Sequence, residues 1–184
     1  MSRQVVARDA EEFDQREETE WKRRVEEKPR LRTYRLVKEK LDHEKYLDCT
    51  WGTKRKALMD LRSGANDLEI DVGRRSRKEV KERVCRVCEG GVEDEIHLLL
   101  ECPAYGDTRE EMLGVLAGLG VKMEEGDSRE TVWRRVMCTQ SKQQWRVVGK
   151  FAATMMKRRA VAIQRREEQG LFRIPDRAAT PVPS

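Results

Sequence analysis

The stretch RVCRVCEGGVEDEIHLLLECP, Arg83 to Pro103, holds three of the five cysteines and one of the two histidines of this 184-residue chain. Cys85, Cys88, His97 and Cys102 read C-x2-C-x8-H-x4-C. A two-residue gap lets two thiolates on one tight turn reach the same ion, and the longer gap returns the chain with an imidazole and a third thiolate. The set predicts one structural Zn2+ held by Cys3His. Ordinary buried cysteines beside a chance histidine are the plainer alternative, but they do not account for so specific a pattern. A disulfide framework fits worse, because five cysteines leave one unpaired and the N-terminus has no apolar signal-peptide region.

The residues around the ligands support a metal turn. Gly90 and Gly91 are expected to supply positive φ and N–H groups aimed at sulfur. Glu93 to Glu101 reads as a short helix with acids in its first turn, carrying His97 and delivering Cys102, where Pro103 forbids continuation. Just upstream, Arg74, Arg75, Arg77, Lys78, Lys81, Arg83 and Arg86 put seven positive charges into thirteen residues that run into the first two ligands. A metal-rigidified turn presenting arginines suits phosphate and base stacking, so these seven are the expected nucleic-acid contacts. The alternative is a solvated basic linker.

Charge is segregated along the whole chain. Residues 1–28 carry 7 basic and 9 acidic groups, residues 29–88 carry 17 and 10, residues 89–130 carry 3 and 12, and residues 131–184 carry 12 and 3. Two basic segments thus flank an acidic one, which favours an anionic partner such as RNA or DNA unless the segments pair with one another inside the fold. With 40% charged and 38% apolar residues, little is left for a large core, and a zinc ion would add folding free energy locally. No apolar run is long enough to span a bilayer, so the expectation is a soluble intracellular protein, nuclear or cytoplasmic, with reduced thiols and no membrane partner.

The predicted fold class is mainly α, with several helices around the CCHC loop and at most a short strand near 68–72. Four regions are expected: a charged N-terminal helix (1–28), a helical region with the zinc motif (29–110), C-terminal helices (111–170) and a disordered tail (171–184). Val6, Ala10, Phe13, Trp21 and Val25 make a thin apolar stripe from Val6 to Lys28, where Pro29 stops the helix. A second helix is expected from Leu31 to about Tyr46, with His43 on its surface. Thr53 is the predicted N-cap of Lys54 to Arg62, and Ser63-Gly64 its stop. Leu68 to Val72 alternates apolar and acidic residues, reads as extended, and turns at Gly73. Thr108 is the predicted cap of a helix through Leu119, and Ser128 of a short one. Trp145, Val148, Ala152, Met156, Ala160 and Ile163 form the apolar face of the longest helix, Lys142 to Gln169, whose other face is basic. Cys49 and Cys138 read as small buried residues rather than further ligands.

From Pro29 to Arg109 the order of these motifs resembles the C-terminal region of reverse transcriptases from non-LTR retrotransposons. The resemblance is carried by Leu31-Arg32-Thr33-Tyr34, Tyr46-Leu47-Asp48, Leu61-Arg62-Ser63-Gly64, Leu68-Glu69-Ile70 and Gly73-Arg74. It continues through the run Arg83 to Cys88, Val92-Glu93-Asp94-Glu95, His97-Leu98-Leu99 and Cys102-Pro103-Ala104-Tyr105. It implies a region that lies downstream of polymerase and thumb and helps grip template RNA or target DNA. It does not imply an enzyme, because the chain has no Asp-Asp pair for a polymerase palm. Some relatives carry a nuclease built on a Pro-Asp and a later acidic cluster, yet no acid follows Pro175-Asp176 here. The expectation is a detached C-terminal fragment that keeps nucleic-acid binding and neither catalytic centre. A zinc-stapled domain that only packs on a polymerase or another protein is the alternative.

Overall fold

The computed structural model describes residues 3–170; the expected tail 171–184 with Pro175-Asp176, and the side chains of Val6 and Ala10, lie outside the described residues. The fold is mainly helical, with helices α1 (Arg3–Glu26), α2 (Gly52–Ser63), α3 (Glu69–Arg75), α4 (Gly106–Gly118), α5 (Arg129–Met137) and α6 (Lys142–Glu168). The one β-pairing among the described residues is a single antiparallel bridge, Val84 to Val92, inside the metal loop.

Helix α6 is the centre of the core and packs against α2 and α4. Its buried stripe is Trp145, Val148, Ala152, Met155, Arg159 and Ile163. The expected Met156 and Ala160 sit one position off it. Both stripes keep the three-or-four spacing, and adjacent methionines give no apolar contrast by which to choose. Leu58 and Leu61 of α2, Met112 and Leu116 of α4, and Trp133, Val136 and Met137 of α5 complete a core that is continuous across residue 110. Near the C-terminal end of α1, Val25 is buried and Trp21 meets Tyr34 edge-on at 6.3 Å, while Phe13 is exposed.

Two expected elements are different. Residues 31–46 do not form a helix: a 3-10 turn at Pro29–Leu31 and hydrogen-bonded turns to Lys38 are followed by irregular chain and a 3-10 turn at Lys45–Asp48. The carbonyls that would continue a helix face α5 and its C-cap instead: Arg134 Nε donates to Leu36 O (2.9 Å) and Cys138 Sγ to Val37 O (3.5 Å). Trp133 Nε1 adds a bond to Thr33 O (3.4 Å), which also accepts Leu36 N. Leu41, which a helix would have to bury, is exposed. His43 is on the surface as expected, beside Asp48 at 2.8 Å.

The segment 68–72 is not extended either; it enters α3, with Gly73 inside the helix. Its alternation does not divide core from solvent, because Glu69 and Asp71 are as buried as Ile70. Both acids sit in the first turn, where the helix dipole favours them. The amides there are satisfied from outside: Glu69 N donates to Glu93 Oε2 (2.9 Å) and Ile70 N to Glu93 O (3.0 Å).

Ser128 caps α5 as expected, and Gly64 ends α2 in the left-handed region at φ 63°. A Cβ at Gly64 would lie 2.2 Å from Arg30 O. Gly64→Ala combines that backbone clash with αL strain and should cost about 2–3 kcal/mol. For a domain of this size that is a fall in melting temperature of roughly 5–10 °C. A melting curve matching wild type would disprove the constraint.

Candidate metal centre

The hairpin that presents the first two thiols is closed by Cys85 N to Gly91 O (2.8 Å) and Glu93 N to Arg83 O (2.9 Å). Glu89 N folds back on Cys85 O at 2.9 Å, and Gly90 N points at Cys88 Sγ at 3.4 Å. The left-handed residue of this turn is Glu89, φ 56°, and neither Gly90 nor Gly91 has positive φ. A Cβ at Gly91 would make ordinary contact with the His97 ring at 3.7 Å, so neither backbone angle nor space demands glycine there.

His97 is carried on the expected helical turn. Asp94 caps it by accepting the His97 amide at 2.7 Å. From His97 to Glu101 the turn widens into π geometry, and Cys102 N bonds to His97 O, five residues back, at 2.7 Å. That bond stacks positions 97 and 102 on one side, which a regular α-turn would not do. Pro103 opens the following 3-10 turn, Pro103–Tyr105.

The four donor atoms of Cys85, Cys88, His97 and Cys102 all lie within 4.8 Å of one another, and Cys88 Sγ is 3.3 Å from His97 Nε2. Tetrahedral bonds to zinc of about 2.0–2.3 Å need donors roughly 3.5–3.8 Å apart, so small side-chain adjustments bring this set to that geometry. The group can hold a metal ion and is compatible with zinc. Cys85, Cys102 and His97 are buried, and Cys88 forms the more open edge. Hydrogen bonding from Cys102 and His97 holds the Cys85 thiol far below its usual range, to about 3. Its thiolate in turn raises His97 and, with burial, Cys102, while burial raises Cys88. Protein groups alone therefore favour one thiolate here; a bound cation would stabilise the rest. Cys49 is buried and Cys138 half-buried, and neither joins the cluster.

A shell of ion pairs surrounds the ligands. His97 Nδ1 faces Glu101 Oε2 at 3.8 Å, and Glu101 and Asp94 are both held by Arg129 of α5 at 2.9 Å. Carboxylates in this position orient a ligating imidazole and fix its tautomer. Glu93 Oε1 lies 3.7 Å from Cys85 Sγ and accepts from Arg159 Nε of α6 at 2.8 Å; Arg159 Nη2 reaches Glu93 Oε2 at 2.9 Å. Arg109 of α4 donates to Cys102 O (3.0 Å), and Arg166 of α6 to Val87 O (3.3 Å) and the Glu89 carboxylate. None of Glu93, Glu101, Arg129 or Arg159 was singled out from spacing, because each is one charge among many and its role depends on helices far away in sequence.

The seven basic residues expected to form one surface divide. Arg75 and Arg77 are exposed and make no ion pair among the described residues; Arg74 is exposed but near Asp71 (3.3 Å), Lys78 near Glu69 (3.7 Å) and Lys81 near Glu79 (2.9 Å). Arg83 is half-buried and donates to the carbonyls of Ile70 and Lys78. Arg86 is turned inward, with Nε 3.0 Å from Glu69 and a hydrogen bond of 2.6 Å to Asp67 O. The buried carboxylates of Glu69 and Glu93 need a cation there, so Arg86 belongs to the framework rather than to the surface. The acidic segment is also extensively paired within the fold, through Asp107 to Arg158, Glu111 to Lys150 and Asp127 to Arg135. Among the described residues no helix is long and apolar enough to cross a membrane. No protein-family model, curated protein or solved structure matches this chain.

Proposed function

We propose that this chain is a zinc-stapled nucleic-acid-binding module, related to the C-terminal region of non-LTR retrotransposon reverse transcriptases and without a polymerase or nuclease centre. The observation that carries the reading is the exposed corner just before the metal hairpin. There Arg75 and Arg77 are free of acids among the described residues, where most other arginines are paired, with Arg74, Lys78 and Lys81 exposed beside them. The zinc is structural: four protein ligands leave no position for an activated water. Bound there, it would fix the hairpin from which the basic corner projects.

Binding of labelled single-stranded RNA and DNA across a salt series tests this. Phosphate contacts make the logarithm of the affinity fall with the logarithm of salt by about 0.7 per contact. The double variant Arg75→Ala/Arg77→Ala should lower that slope by about 1.4 and weaken binding at low salt. An affinity indifferent to salt, or a slope unchanged in the variant, would refute the reading.

The extensive pairing of acidic with basic segments favours a second reading, a zinc-stapled domain that packs on a protein partner without nucleic acid. Capture of a polymerase by the chain, surviving charge reversal at Arg74, Arg75 and Arg77, would favour it.

A further inference from the structure

A separate basic surface lies where α2 meets α6. Trp51, the residue before α2, is 59% exposed, whereas Trp133 and Trp145 are buried and Trp21 is partly covered. The Arg146 guanidinium lies over its ring, 5.6 Å from the centroid. Arg146 is anchored by Nε to Cys49 O at 3.4 Å, and its terminal nitrogens make no hydrogen bond among the described residues. Along α6, Lys142, Arg146, Lys150, Ala153 and Lys157 follow at spacings of four, four, three and four, which places them on one stripe. Lys54 of α2 packs against the same stretch of α6, for its Cβ would lie 3.3 Å from a Cβ at Gly149.

The charges on this surface are unbalanced. Lys54, Lys142 and Lys157 are exposed and have no acidic partner among the described residues. Nearby acids are already engaged: Asp48 with His43, Asp60 with Lys56 and Glu111 with Lys150. An exposed tryptophan under an arginine, at one end of a basic helical stripe, suits neither an apolar protein groove nor the interior of a bilayer. It suits a ligand with a flat π-face and a negative backbone, which is an unpaired nucleic-acid strand.

We propose that Trp51 and Arg146, with Lys54, Lys142, Lys150 and Lys157, form a binding surface for single-stranded nucleic acid. One base stacks on the indole, and the phosphates follow the α6 stripe. Duplex bases are already stacked and cannot use the indole, so the surface selects unpaired strands. This site shares the ligand class of the reading above but none of its residues.

The test is anisotropy titration of labelled oligo(dT), oligo(U) and a short duplex with the full chain in its zinc-loaded form, with tryptophan emission followed in parallel. Trp51→Ala should weaken single-strand binding roughly tenfold and abolish quenching of tryptophan emission by the oligonucleotide. Trp51→Phe should keep most of the affinity, duplex binding should not change, and Arg75→Ala/Arg77→Ala should keep the quenching. Unchanged single-strand affinity in Trp51→Ala, or equal losses on single strand and duplex, would overturn the proposal. If that happens while Arg75→Ala/Arg77→Ala still loses affinity and salt slope, the corner beside the metal stands and this surface falls. Binding to anionic vesicles with none to oligonucleotides would overturn both. Lys54→Glu/Lys142→Glu, both on exposed side chains, gives a second variant expected to weaken single-strand binding without touching the indole.

Discussion

Chelating the metal, or replacing Cys102 by serine, should unfold much more than the hairpin. Structural zinc in small modules contributes about 10–16 kcal/mol at neutral pH, while a whole domain is stable by only about 5–15 kcal/mol. Without the ion the loop loses its four-point closure. The loop does not end at its ligands, because Glu93 satisfies two amides of α3 and receives Arg159 from α6, and Arg109, Arg129 and Arg166 tie three helices to its backbone and acids. Helical circular dichroism should therefore fall well beyond the contribution of the turn His97–Glu101, and the melting transition should broaden or vanish. Elemental analysis of the purified protein should find about one zinc per chain. A melting curve unaffected by chelation would remove zinc from the account of this fold.

Arg159→Met should be the most damaging single change outside the ligand set. Arg159 and Glu93 have side chains 2% and 0% exposed, and Arg159 also reaches Asp67 at 3.1 Å. Methionine fills much of the space but leaves the buried Glu93 carboxylate with only one cation, Arg86, 3.9 Å away, a loss of about 3–5 kcal/mol. That corresponds to a fall in melting temperature of roughly 6–20 °C. Glu93→Gln added to Arg159→Met should recover part of the loss, since the stranded charge is gone. Lys157→Met, two positions away and exposed, should stay within about 0.5 kcal/mol of wild type. Thermal melts of the three proteins decide the matter, and an Arg159→Met protein that melts like wild type would show that the pair is not needed for stability.

These two predictions also mark the limit of what the sequence discloses. The ligands Cys85, Cys88, His97 and Cys102 were legible because a tight metal turn and a return helix constrain spacing locally, and the structure brings all four together. Gly64 and Ser128 were legible for the same reason, since they act on backbone groups within a few residues. The expected caps Thr53 and Thr108 instead lie inside α2 and α4, which begin at Gly52 and Gly106. Arg159 was not legible. It lies in a helix with eight basic residues between 142 and 166, and only the position of Glu93 in space makes it a core residue. Arg86 was read as a surface charge for the converse reason, that its buried acidic neighbours come from α3 and from beyond the hairpin. The alternation at 68–72 misled because solvent is not the only place for a carboxylate; α3 buries Glu69 and Asp71 against arginines and a lysine.

The carbonyls of Leu36 and Val37 find their donors 98 and 101 positions downstream, and that of Thr33, already bonded to Leu36 N, gains a second one 100 positions away. During synthesis this part of the chain leaves the ribosome long before α5 exists. Closing so wide a loop carries an entropic cost that local contacts do not offset. The segment thus cannot complete these bonds until α5 has been made, and until then those carbonyls are open to a chaperone or a protease.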